Sequence, residues 1–218
     1  MKRMICAFTI IASGILLSAS ACASETWKPY WSAGAKSLSS NGLATTKEVK
    51  IYSPDHQSLI EYHNLSMNLY VGGEKMRDLT NLIGSPYLIE IRWSDDSRAF
   101  FVNASDGGLI GTWSTYIYVL RRTSALEIPI GDLIKSNSLN SNCHVNTASV
   151  AWLHGHRDLL ILQQVPDTSN CRNMGHATGY IVSIKSRTVV KHLSPREIHE
   201  HYAQYLGIES KSAVSAPD

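Results

Sequence analysis

Hydrophobic and polar positions in this chain fall into a repeating phrase: an extended run, a tight polar turn, then a second apolar run. It reads I-Y-S-P-D-H-Q-S-L-I-E-Y at Ile51–Tyr62 and returns as I-R-W-S-D-D-S-R-A-F-F-V at Ile91–Val102. A degraded third copy, V-A-W-L-H-G-H-R-D-L-L-I-L, occupies Val150–Leu162. Each copy continues into two more runs rich in β-branched and aromatic residues. These are Met67–Val71 and Lys75–Thr80, Ser114–Leu120 and Ala125–Ile128, and Gly179–Ile184 and Thr188–Leu193. Gly, Pro, Asn, Asp and Ser punctuate them, as turns require. Pro54 presets φ at the first corner, and Asp55 and Asp96 can bond their own backbone. A repeat of this size is one supersecondary unit. The pattern predicts an all-β protein of three stacked four-stranded sheets, over about 47–80, 87–130 and 147–193.

A different period closes the chain. Ser194-Pro195-Arg196-Glu197 has the form of a capping box with proline at the first helical position. Ile198, Tyr202, Tyr205 and Leu206 then form one apolar stripe at helical spacing. Gly207 is expected as the stop. A capping α-helix over 194–207 is predicted to cover an exposed sheet edge, with 208–218 as a frayed, flexible tail.

The corners S-P-D-H-Q-S-L at Ser53 and W-S-D-D-S-R-A-F-F at Trp93 resemble the W-S-P-D-G-K-x-I-A-F corner of TolB-like, WD-related β-propeller repeats. L-Y-V-G-G-E-K-M-R-D-L-T at Leu69 resembles the other half of that repeat. The resemblance implies propeller-like antiparallel sheets. It implies no function, because propellers host unrelated activities. Closed propellers typically need at least four blades, and this chain has three units, the third without the corner acid. A partial or incomplete β-propeller follows, either a curved three-sheet stack or a ring completed by Trp27–Thr46 or by a second subunit.

The N-terminus addresses the chain. Lys2 and Arg3 precede the apolar run Ile5–Leu17, and Ala21-Cys22-Ala23 is a small-x-small site. This is the form of a secretory signal peptide. Cleavage is expected after Ala23, giving a periplasmic or secreted protein with a 24–46 N-terminal segment. A lipoprotein anchored at Cys22 is the less favoured reading, because Ala19 stands where such signals usually carry Leu. No other run approaches the ~18 apolar residues of a membrane span.

Of the 20 basic residues, the signal removes two, leaving 18 against 18 acidic. A neutral chain argues against nucleic acid or an anionic membrane surface as partner. Cys143 and Cys171 remain after cleavage. In an oxidising compartment they are expected to form a disulfide around the central strands of the third repeat.

Motifs for chemistry are sparse. There is no G-x-S-x-G, no phosphate-cradling glycine loop and no H-E-x-x-H. His199 and His201 point apart on a helix. His154 and His156 fall at a turn. Together with His144 and His176 they could hold a metal only if the flanking loops converge, so no metal, cofactor or catalytic residue is assigned.

The loop Asn103–Trp113, N-A-S-D-G-G-L-I-G-T-W, stands out. Its three glycines exceed the needs of a hairpin, and glycine permits close approach of a ligand. It reads either as a long hairpin with Trp113 in the core or as a binding loop. On the binding reading its site residues are Asn103, Ser105, Asp106, Gly107, Gly108 and Trp113. The matching loop Pro166–Thr178, carrying His176, is expected on the same face. The leading functional expectation is an exported binding or scaffolding module for a protein or envelope component, in one version an inhibitor or immunity protein. The alternatives are a hydrolase using Asp106 and loop histidines, or a purely structural oligomer subunit.

Overall fold

The structure is a computed structural model and describes residues 29–38, 48–84, 88–107, 112–129, 133–134, 145–166 and 174–215. Strand β1 (Lys36–Ser37) belongs to the N-terminal segment. The first sheet is a meander of β2 (Val49–Tyr52), β3 (Ser58–His63), β4 (Ser66–Val71) and β5 (Glu74–Asp78). The second contains β6 (Ile89–Trp93), β7 (Ala99–Ser105), β8 (Trp113–Arg121) and β9 (Ser124–Ile128). The third contains β10 (Asn146–Leu153), β11 (Asp158–Gln164), β12 (Ala177–Ser183) and β13 (Thr188–Leu193). Within each four-stranded meander the pairings are antiparallel and sequential, as the repeated phrase predicts.

The first two corners match bond for bond. Ser53 and Ser94 donate their hydroxyls to Asp55 and Asp96, at 2.6 and 2.8 Å. Each carboxylate accepts the N–H two residues further on, from Gln57 and Arg98. Each serine oxygen accepts from the first residue of the next strand, Ser58 and Ala99. His56 and Ser97 then take left-handed φ, 59° and 61°. The third corner has no such serine or acid. It puts left-handed residues two and one places earlier, at His154 and Gly155, φ 53° and 74°.

The sheets are joined by a repeated bond. Trp93 Nε1 donates to the carbonyl of Ile51, and Trp152 Nε1 donates to that of Arg92, both at 3.2 Å. Ile51 and Arg92 are equivalent positions one residue before the corner strand's end. Around these bonds, one apolar layer unites Ile60, Leu69, Ile91 and Phe100 of the first two sheets. A second unites Phe101, Ile117, Ile161 and Val182 of the second and third.

The helical end departs from expectation in three ways. Helix α1 (Pro195–Tyr202) has the full capping box between Ser194 and Glu197. It continues as a 3-10 turn, Ala203–Tyr205. It covers a face of the third sheet, not an edge, because that face is apolar: Ile198 and Leu206 pack with Val150, Leu160, Leu162 and Ala177. Gly179 makes room, since a Cβ there would lie 2.8 Å from Ile198 Cδ1. Gly207 is not a left-handed stop. It is needed because a Cβ would meet the Pro29 and Tyr30 carbonyl oxygens at 2.5 Å. Residues Ile208–Ser215, expected as a tail, form helix α2 with Ser210, Ala213 and Val214 buried.

The N-terminal segment explains that second helix. β1 pairs with β6, adding a fifth strand to the second sheet rather than a further sheet. Residues 29–33 lie against the C-terminus: Gly207 N–H donates to Trp31 O (2.9 Å), and Ala33 N–H donates to Tyr205 O (2.9 Å). The Ser210 hydroxyl also donates to Trp31 O, at 2.7 Å.

Candidate functional site

The sequence-nominated loop sorts into a buried part and an exposed part. Strand β7 is buried along its length, so Asn103 and Ser105 are core positions. Asn103 donates to Ser149 O (2.8 Å) and accepts from Ser149 N–H (2.9 Å), bonding the second sheet to the third. Ser105 accepts from Gly107 N–H (3.2 Å) and closes its own turn. Trp113 is 7% exposed. Its ring packs against Tyr30 and Trp31, with centroids 5.3 and 6.2 Å away. Of the two readings of Trp113, the structure gives the core one, because residues 30–31 cover it. Asp106 and Gly107 are exposed. Gly108 lies outside the described residues, as do Cys143, Cys171 and His144.

His176 is half-buried, and its carbonyl accepts from Val165 N–H at 3.1 Å. The other histidines engage carboxylates separately: His154 Nδ1 is 3.0 Å from Asp158 Oδ2, and His156 Nδ1 is 2.5 Å from Asp96 Oδ2. Among the described residues no group of three His, Cys, Asp or Glu side chains is placed to hold a metal.

Beneath the nominated loop lies a group that the sequence reading passed over. Glu90 is fully buried on β6. Its carboxylate accepts N–H bonds from Tyr30, Trp31 and Ser32, and from the Asn103 amide. Burial pushes its carboxyl up to about 7, against the downward pull of those four donors. The signal was one charge in the apolar phrase Leu88-Ile89-Glu90-Ile91, where a strand would otherwise be wholly apolar. Its role is to anchor the N-terminal segment.

A small cleft of about 190 Å³ lies against the nominated loop, lined by Ser105, Asp106 and Thr112; two larger ones among the described residues lie on other surfaces. The first is the outer face of the first sheet. Tyr52 stands at the position where Trp93 and Trp152 bond a preceding sheet, and it is 48% exposed. With His56, Leu59, Glu61 and Tyr70 it lines a shallow cleft of about 330 Å³. The second surface is a cleft of about 460 Å³ between the second and third sheets. It lies at the corner end of the strands, opposite the nominated loops, since Arg121 leaves β8 beyond the Ala99 end of β7. Arg121, Arg157, Lys185 and Arg187 stand around it. In sequence these four are scattered, and only hairpin pairing brings them together.

No protein-family model matches this chain, and no curated protein matches it.

Proposed function

We propose that this chain is an exported binding module, built of three degenerate TolB-like repeats, whose partner is another protein that stacks a β-sheet on the outer face of the first sheet. The observation that carries this reading is the position of Tyr52. Within the chain each sheet uses that position to bond the sheet before it, through Trp93 and Trp152. The neighbouring corner position is used in the same way. Asp55 N–H donates to Ser97 Oγ (3.0 Å), and His156 reaches Asp96. In the first repeat the equivalents are Tyr52 and His56, and their rings lie 5.7 Å apart on the open face. The interface that joins sheets inside the chain is thus continued on a face that no sheet of the described residues covers.

The two ends of the stack differ, which supports a heterologous partner over ring closure by a second copy. Helices α1 and α2 occupy the far face of the third sheet, so a head-to-tail neighbour has no equivalent face on which to dock. The apolar run Ile5–Leu17 supports an extracytoplasmic setting for the encounter.

Photo-crosslinking tests this reading. A benzophenone amino acid replaces Tyr52 in cells expressing the chain, and replaces Arg196, whose side chain is 83% exposed on α1, as a control. A discrete heterologous adduct at 52, absent at 196 and lost on Leu59→Arg, is expected. An adduct of twice the chain's own mass would replace the partner with a second copy. No adduct at 52 would remove the docking face.

A further inference from the structure

The cleft between the second and third sheets is independent of that docking face. Its floor is apolar: Val119, Leu126, Ile128 and Ile184. Its rim carries Arg121 from the end of β8, Arg157 from the third corner, and Lys185 and Arg187 from the β12–β13 turn. Among the described residues no acidic side chain lines it.

All four cations are exposed, and they converge on one cleft with an apolar floor. Among the described residues none of the four has an ion pair. Three described carboxylates of these two sheets are engaged elsewhere: Asp158 with His154 at 3.0 Å, Asp96 with His156 at 2.5 Å, and Glu127 with Arg77 at 2.8 Å. Arg157 spends only its Nε, on His154 O at 3.1 Å. Arg187 also holds a left-handed φ of 55°, a conformation that costs a bulky non-glycine residue some strain.

The preceding gap in the same stack is the control. Between the first and second sheets the equivalent outer position is closed. Arg77 lies 5.0 Å over the Tyr118 ring, donates to Ala125 O, and pairs with Glu127. A single repeat geometry therefore gives one gap sealed by an arginine–glutamate pair and one gap left open and cationic. Apolar floor, convergent charged rim and a volume of about 460 Å³ are the attributes of a small-molecule site.

We propose that this cleft binds a small amphipathic anion, whose alkyl or aryl body lies on Val119, Leu126 and Ile184 while its phosphate, sulfonate or carboxylate head meets the arginine and lysine rim. Guanidinium groups match such heads because they offer paired, planar N–H donors. Two arginines on one hairpin end and one corner can approach the head from both sides. His156, fixed by Asp96, forms part of the wall.

Calorimetric titration of the full chain tests the site. The probes are octyl phosphate, octanoate, inorganic phosphate and uncharged octyl glucoside, each below its critical micelle concentration. Octyl phosphate or octanoate is expected to saturate one site per chain. Inorganic phosphate should bind at least tenfold more weakly, and octyl glucoside should give no saturation. The double variant Lys185→Glu, Arg187→Glu should weaken the anion at least tenfold with its Tm unchanged, because both side chains are exposed on a turn. Arg187→Gly relieves the left-handed φ and provides a second, fold-safe variant, expected to weaken binding severalfold. Equal binding of octyl glucoside and octyl phosphate would overturn the charged rim. Anion binding unaffected by the charge-reversed variant would place it elsewhere on the chain, and no heat with either amphipathic anion would remove the site. The crosslink at Tyr52 reads a different face, so either result stands without the other.

Discussion

His156 Nδ1 lies 2.5 Å from Asp96 Oδ2, so the third corner reaches back to grip the second. Burial would raise the Asp96 carboxyl, but His156, the Ser94 hydroxyl and Arg98 N–H outweigh it and hold the group below its ordinary value of 3.8. A depressed carboxyl adds stability above its unfolded value and loses it as pH falls through the folded one. Stability should therefore decline in acid below about pH 3.8, and Asp96→Asn should flatten that limb. A double-mutant cycle with His156→Ala should give a coupling of about 0.5–1 kcal/mol, as for a partly exposed pair. Zero coupling in urea titrations would make the contact incidental.

Glu90 should act in the opposite sense. Its folded value, about 7, lies above the ordinary 4.5. The folded state then holds the proton more tightly, so the stabilisation is complete below 4.5 and lost as pH rises to about 7. The expected loss is on the order of 3 kcal/mol. Urea denaturation across that range should show falling stability. Glu90→Gln should abolish the slope and lower stability at every pH, because its amide presents hydrogens to the N–H groups of residues 30–32. A wild-type profile flat from pH 4.5 to 7 would sink this assignment.

Truncating Trp113 should cost about 3–5 kcal/mol, the usual penalty for a large aromatic removed from a core. Asp106→Ala, at the exposed end of the same loop, should stay within about 0.5 kcal/mol of wild type. Thermal melts of both variants decide the matter. A mild Trp113→Ala would show that Tyr30 and Trp31 do not seal it.

The mature chain should begin at Ser24 and carry no lipid. Intact-mass measurement of the exported protein checks this. A diacylated Cys22 at the N-terminus would be the opposite result.

Cys143 and Cys171 should be bonded in that mature protein. Thiol labelling of the denatured, unreduced chain should give no signal. Cys143→Ser should cost roughly 2–5 kcal/mol, the usual range for loss of a native bridge in a small exported domain. Two labelled cysteines would end the idea.

The sheets were legible because their signals are local. Ser53-Pro54-Asp55 and Ser94-Asp95-Asp96 write their own turn bonds, and Ser194 to Glu197 writes a helix start. What escaped depends on distant segments. Trp113 has the look of a loop aromatic until Tyr30 and Trp31 fold over it from more than eighty positions away in sequence. The last helix has too weak an apolar stripe to announce itself, and it gains its backing from the Trp31 and Tyr30 carbonyls. Arg121, Arg157, Lys185 and Arg187 carry no spacing that marks a site. Their convergence is a product of hairpin registers, and a string of letters does not contain it. Tyr52 is the intermediate case: its place in the repeat was visible, while its exposure required knowing how the described sheets stack.

The bridge between Ser32 and Leu206 has a consequence for how the chain comes into being. Segments far apart in sequence complete one layer, and the donors that satisfy Glu90 are held in place by residues 205–210. A nascent chain not yet synthesised past Leu206 lacks half of this clasp. Each sheet is a local meander that can form early, but closure must wait for the last helical turns, and such distant pairings are slow to form. Final compaction is thereby deferred until residues 203–210 have emerged, and the earlier sheets stay unclasped until then.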